Sequence, residues 1–166
     1  MAGRTVRVGD ERLDCQRPAG ACEGGGMTWQ IVRRNRLIVY SFDVHETLEI
    51  SGGPVTLQSL MDLRIAGHVV GICGNWAAFC QRVDGWQHVV SFISNDAAEL
   101  SLQQGYPLIP DFKARFLANL KRYIPADDYV MVGNILGVTG ASDDQGAAER
   151  AGWRFICERE FAEGKR

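Results

Sequence analysis

Leu37-Ile38-Val39-Tyr40-Ser41-Phe42-Asp43 is the stretch that decides the fold of this chain. It is apolar at every position except Ser41 until it stops at a carboxylate. A strand with one wet face alternates; a continuous run marks a strand covered on both faces, as in a parallel sheet. Runs of the same kind recur at His68-Val69-Val70-Gly71-Ile72-Cys73, His88 to Ile93, Tyr129-Val130-Met131-Val132 and Arg154-Phe155-Ile156-Cys157. Helical patterns lie between them. Val55 to Ala66 carries Leu57, Leu60, Met61 and Ile65 at helical spacing, with Gly67 as a stop. Trp76 to about Val83 reads as a short helix, and Asp96 to Gln104 as a helix or turn. Asp111 to Tyr123 is amphipathic, with Phe112, Phe116, Leu117 and Leu120 on one face. Asp144 to Ala151 is helical and ends at Gly152. Strands alternating with helices predict an α/β fold, a doubly wound parallel sheet in a three-layer sandwich.

Composition narrows the function. The 166 residues are 46% hydrophobic and 23% charged, with a formal net charge of −2, as expected of one globular domain. So balanced a charge gives no field for nucleic acid or for an anionic membrane surface. The apolar runs are far short of the ~20 residues that cross a bilayer. Five cysteines at irregular spacing do not make a disulfide framework, and a reducing, cytoplasmic setting is expected. Residues 1–26 stand apart: they hold Arg4, Arg7, Arg12, Arg17 and the run Gly24-Gly25-Gly26, with no sustained apolar period. They read as a flexible tail before a single domain over 27–166. Met27 follows the glycines, which leaves open whether 1–26 belong to the native protein. Cys15 and Cys22 in the tail have no second pair at zinc-ligand spacing.

In an open parallel sheet, ligands bind beyond the carboxyl ends of the strands, where strand order reverses. Those ends carry Asp43-Val44-His45-Glu46-Thr47-Leu48, then Cys73-Gly74-Asn75, then Gly133-Asn134 with Ser142-Asp143-Asp144 a few residues on. Lys113 lies near the start of its helix. Carboxylates on one rim can hold magnesium, which prefers oxygen ligands and keeps several waters. A lysine and backbone N–H groups can hold a phosphate beside it. Each residue also has an ordinary use. Asp43 can satisfy a turn, and Lys113 can be a solvated helix start. Asp143 and Asp144 behind Ser142 can cap a helix. The tryptophans, with Cys73 and Cys80, read as packing.

The order of these residues resembles the haloacid dehalogenase superfamily of hydrolases, mostly phosphatases. Its first motif, an apolar strand and Asp-x-Asp-x-Thr-Leu, is matched by Phe42-Asp43-Val44-His45-Glu46-Thr47-Leu48. Its second, a strand ending in Ser or Thr, is matched by Val70-Gly71-Ile72-Cys73-Gly74-Asn75, and its lysine by Lys113. Its fourth is matched by Val132-Gly133-Asn134 followed by Asp143 and the helix to Gly152. The resemblance covers roughly residues 36–157. It implies a magnesium-dependent phosphatase acting through an aspartyl-phosphate. Asp43 is then the nucleophile, His45 the acid–base group and Lys113 the charge partner. Thr47, Gly74, Asn75 and Lys113 would hold phosphate. Asp43, the His45 backbone carbonyl, Asn134, and Asp143 or Asp144 would hold Mg2+. The intervals 49–73 and 75–112 are too short for a cap domain, so an open site is expected. That suits a large phosphorylated group, or closure by a neighbouring copy in a homo-oligomer.

Three positions depart from the family pattern. His45 stands for the second Asp; imidazole, with an ordinary pKa of about 6.5, can do that work near neutrality. Gly74 lacks the hydroxyl that would hold a phosphate oxygen, a charged hydrogen bond worth about 1.5–3 kcal/mol. Asn134 replaces a carboxylate, and Ile135 to Ala141 is longer than the usual gap. A second reading is therefore a catalytically impaired protein of this fold with a binding or regulatory role. A receiver-like phosphoacceptor ranks last, because the acidic pair it needs on the first strand's exit is absent.

Overall fold

The computed structural model describes residues 35–94 and 111–166, together with Arg7–Val8 and Glu11–Arg12. The chain divides into two compact units, 1–35 and 36–166. In the first, β1 (Arg7–Val8) pairs antiparallel with β2 (Glu11–Arg12). The rest of the expected 1–26 tail, and the expected 96–104 element, lie outside the described residues.

The second unit is built on a five-stranded, all-parallel sheet. Along the chain come β3 (Ile38–Phe42), α1 (Leu57–Ile65), β4 (Val69–Ile72), α2 (Trp76–Arg82), α3 (Trp86–Val89) and β5 (Phe92–Ile93). Then follow α4 (Phe112–Tyr123), β6 (Asp128–Gly133), α5 (Asp144–Ala151), β7 (Arg154–Cys157) and α6 (Glu158–Ala162). Spatial order is β5-β4-β3-β6-β7. The chain thus winds outward from β3 through β4 to β5, then returns to the other side of β3 with β6. Order reverses between β3 and β6, which pair from Ile38↔Asp128 to Phe42↔Val132.

Strand alternation divides the core into two layers. Tyr40, Phe42 and Val44 point into one, with Leu60 and Leu63 of α1, Phe79 of α2 and Phe161 of α6. Phe161 meets Phe42 edge-on, ring centroids 5.1 Å apart. Val39 and Met131 point into the other, under Leu117 and Leu120 of α4 and Ala148 and Ala151 of α5. Trp153 closes that layer and donates its Nε1–H to the Leu117 carbonyl at 3.0 Å. The sheet with helices on both faces is the expected α/β sandwich.

Three local expectations are corrected. The apolar run His88–Ile93 is not one strand: Gly85, at φ +68, starts the helical turn α3, and only Phe92–Ile93 joins the sheet. Short apolar runs fit a buried turn as well as a strand. Ile65, expected on the inner face of α1, is 78% exposed, whereas Leu63 is buried. At about 100° per residue, Ile65 stands roughly 140° round the helix from Leu60. Phe112 and Phe116 are only half-buried and stack on each other, while Ala114 joins Leu117 and Leu120 inside. None of the described helices is long and apolar enough to cross a membrane.

Candidate functional site

Four buried polar residues, Asp43, Thr47, Asn134 and Asp144, converge where β3 and β6 end, at the reversal of strand order. Asp43 follows β3 directly, and its N–H still donates to Val132 O at 2.9 Å, so the residue is fixed by the sheet. The chain then turns sharply. Thr47 N–H and Leu48 N–H both return to Val44 O, and Ser51 Oγ donates to the Val44 and Leu48 carbonyls. Glu46 takes a left-handed backbone at φ +56 to make this turn, a conformation costly for a residue with a side chain. The result brings the buried Thr47 hydroxyl to 3.5 Å from Asp43 Oδ2.

Lys113, the second residue of α4, reaches across to the centre of the cluster. Its Nζ donates to Asp43 Oδ1 at 2.9 Å, to Ser142 Oγ at 2.9 Å, and to Asp144 Oδ1. Ser142 donates in turn to Asp144 Oδ1 at 2.7 Å, and Asp144 Oδ2 accepts the Asn134 backbone N–H at 2.8 Å. Gly133 leaves the space that Asp144 fills, since a Cβ there would collide with its carboxylate. Two buried carboxylates thus share one ammonium. Burial raises the Asp43 pKa to about 6; Lys113 opposes the rise and the charge of Asp144 adds to it. Burial works against the charged form of Lys113, yet the two carboxylates outweigh it and hold the ammonium protonated well above its ordinary range.

Asn134 closes the other side of Asp43. Its side chain has one amide atom turned inward and the other toward the Thr139 carbonyl, 3.4 Å from the outward nitrogen. The inward atom lies 2.9 Å from His45 O, 3.3 Å from Asp43 Oδ2 and 3.3 Å from Thr47 Oγ1. With oxygen inward, an amide oxygen, a carboxylate oxygen and a backbone carbonyl face one another with no proton between Asn134 and its two acceptors. With nitrogen inward, the amide has acceptors for both of its protons among these three neighbours. Oxygen ligands at about 2.0–2.1 Å in an octahedron stand about 3.0 Å apart, and the 2.9 and 3.3 Å separations here have that size. The donor types therefore suit magnesium: one carboxylate, one carbonyl and one amide oxygen. No cluster of three or more His, Cys, Asp or Glu side chains that could hold a metal occurs among the described residues.

The exit of β4 supplies the remaining wall. Gly74 has φ +151, a region open essentially to glycine, and a Cβ on it would collide with Asp43 Oδ1. Its N–H donates to Ser94 Oγ at 3.1 Å, and Ser94 returns a longer bond to Gly74 O at 3.4 Å. The backbone donor expected to hold phosphate is therefore already engaged. Asn75 caps α2 by accepting Ala78 N–H at 3.0 Å, which orients its amide nitrogen toward His45 Nε2, 3.5 Å away. His45 itself is exposed at the rim, with its carbonyl turned inward.

Asp43, Thr47, Lys113, Asn134 and Asp144 are thus brought together, with the His45 carbonyl. Asp143 is not: it caps α5 through Gly146 N–H at 3.0 Å and pairs with Arg150 at 3.2 Å. Between the two adjacent carboxylates offered by the sequence, Asp144 is the one at the site. Ser94 and Ser142 were missed. Ser94 follows the apolar end of β5, so the rule of inspecting carboxyl ends could have found it. Ser142 showed only helix-cap chemistry. Comparison with family models, with curated proteins and with solved structures finds no match for this chain.

Proposed function

We propose that the chain is a magnesium-dependent phosphohydrolase of the haloacid dehalogenase type, working through an aspartyl-phosphate on Asp43. The observation that carries this reading is the buried Asp43–Lys113–Asp144 constellation beside an oxygen-lined corner of magnesium size. An Asp43 oxygen would attack phosphorus, and the bond to the leaving-group oxygen would break as His45 gives that oxygen its proton. Water would then attack the same phosphorus, with neutral His45 taking its proton and Asp43 released. Asp43 Oδ2 faces the cation corner with Asn134, so Oδ1, beside the Lys113 ammonium, would be the attacking oxygen. A bound magnesium ion would supply positive charge against the phosphate. Asp43, the His45 carbonyl and Asn134 are the groups that would hold it.

Thermal unfolding with magnesium, then with magnesium and beryllium fluoride, tests this without a guessed substrate. Beryllium fluoride on a carboxylate stands in for an aspartyl-phosphate. A ligand at ~100 times its dissociation constant that binds only the folded state adds about 2.7 kcal/mol. A magnesium-dependent rise that vanishes in Asp43→Asn supports the reading; no rise in the native chain refutes it.

A second reading, a binding protein of this fold without turnover, is favoured by Gly74, whose N–H is already spent on Ser94. Restoring a hydroxyl side chain at position 74 cannot separate the two readings, because a Cβ there collides with Asp43. Rapid hydrolysis of a simple phosphomonoester by the native chain would end this second reading.

A further inference from the structure

We propose that the Asn134 amide turns over when a divalent cation binds, and that the turn fastens the 135–141 loop. The inference rests on the cation site of the preceding reading and goes beyond it. Three facing oxygens repel one another without a cation, so in its absence the nitrogen faces inward, where His45 O, Asp43 Oδ2 and Thr47 Oγ1 offer acceptors for its two protons. A cation reverses the preference, since an N–H aimed at it is repelled and a carbonyl oxygen is attracted. Amide oxygen and nitrogen are nearly the same size, so a half-turn of the side chain exchanges them without repacking.

The outward end decides what the turn does elsewhere. With oxygen inward, the nitrogen points out and donates to Thr139 O, at 3.4 Å. Thr139 is the keystone of its loop. Its N–H donates to Ile135 O at 3.0 Å, its hydroxyl accepts Ile135 N–H at 2.9 Å, and that hydroxyl donates to buried Glu158 at 3.2 Å. One further bond to Thr139 O ties this loop to the cation site. The loop carries Leu136 and Val138, 57% and 72% exposed, and with Glu46 it walls a hollow of about 540 Å³. Gly140 lets the loop lie this close, since a Cβ there would stand 2.7 Å from Asn134 Cγ and 2.8 Å from Glu46 Oε2. A carboxylate at 134 would ligate the cation but has no N–H for Thr139. The change from Asp to Asn is then not a lost ligand but a ligand with a second face.

The full chain, labelled with nitrogen-15, tests the proposal by titration with magnesium against sodium at matched ionic strength. The Asn134 side-chain NH2 resonances are identified by their absence in Asn134→Asp. In the native chain, magnesium should shift those resonances and slow hydrogen exchange at Gly137, Val138 and Thr139 by about fivefold, one net hydrogen bond's worth. In Asn134→Asp, magnesium should bind about tenfold more tightly, with the added ligand charge, and leave the exchange of the loop unchanged. The proposal is overturned, with the cation site intact, if magnesium raises thermal stability while the amide resonances and loop exchange stay still. It is overturned equally if the loop of Asn134→Asp responds as the native loop does. No magnesium response in either protein sinks the cation site together with the proposal.

Discussion

Replacing Lys113 by Met should produce a stability deficit that depends strongly on pH. The native ammonium is shared by Asp43 and Asp144, whose side chains are 5% and 0% exposed. Methionine fills much of the space but leaves two buried carboxylates without a cation, and breaking a buried pair costs about 3–5 kcal/mol. Lys113 has its pKa raised in the folded chain, so its contribution is complete below the ordinary lysine range and lost only as pH rises through the higher folded value. The ammonium is therefore charged across pH 5 to 8, while Asp43 takes up a proton as pH falls through about 6. The carboxylates behave differently. Asp43 already has its pKa raised to about 6, and without Lys113 it should hold its proton higher still. Below the ordinary carboxylate range, folded and unfolded chains are both protonated and the deficit is small. As pH rises, the unfolded chain releases protons that the folded variant keeps, at about 1.4 kcal/mol per proton per pH unit. Urea unfolding at pH 5 and pH 8 should show a deficit of about 1 kcal/mol growing to about 3–5 kcal/mol. An equal deficit at both values would refute the shared-ammonium account and leave only lost packing.

Three further outcomes follow from the site. Gly74→Ala should cost about 2–6 kcal/mol in urea unfolding, the sum of a glycine-only backbone and a Cβ pressed on Asp43. Gly67→Ala, at φ +91 with nothing near its Cβ, should cost only the backbone share, about 1–2 kcal/mol. Asp143→Ala should lose a helix cap, about 0.5–2 kcal/mol, and keep the native response to magnesium and beryllium fluoride. Asp144→Asn should lose that response, and the opposite ranking would move the second acid back to Asp143. In the metal-free chain Asp43 should take up a proton as pH falls through about 6, read from its carboxyl carbon-13 shift. Titration at about 4 would show that Asp43 ionises in the ordinary range.

The sheet was legible because burial on both faces leaves a mark that needs no tertiary knowledge. β3, β4, β6 and β7 lie within one residue of where their apolar runs place them at either end. β5 was not legible to the same degree. Val89 and Val90 are as apolar as Phe92 and Ile93, yet the turn that begins at left-handed Gly85 takes Val89 into helix and leaves Val90 as its extended cap. α6 gave no signal of its own; Glu158 and Phe161 are buried because β7 delivers them onto a core already built, and no periodicity over five residues reveals that. Ile65 failed for a simpler reason. Helical spacing names a set of apolar residues, but α1 is short enough that Leu60 and Leu63 alone fix which side turns inward.

The site divides along a different line. Residue types at strand ends were readable, because topology alone sends Asp43 and Asn134 to one rim, and α4 brings Lys113 to it. What each atom faces was not. Asp143 and Asp144 are neighbours of equal charge, and the choice between them depends on helix phase: the cap residue looks back along α5 while the next turns under β6, into the gap that Gly133 leaves. Gly74 read as a missing hydroxyl, yet its N–H finds a buried hydroxyl on Ser94, one strand over and twenty residues on. A hydrogen bond across adjacent parallel strands leaves no spacing rule in the sequence, since the intervening crossover can be of any length. Asn134 is the sharpest instance. As a residue type it is a weak magnesium ligand, and the proposed turn of its amide draws on the three acceptors around its inner atom and the Thr139 carbonyl behind it. A departure from a motif is therefore read correctly only after its far side is known, because a side chain that can face two partners is lost from one role only if the second face has nothing to hold.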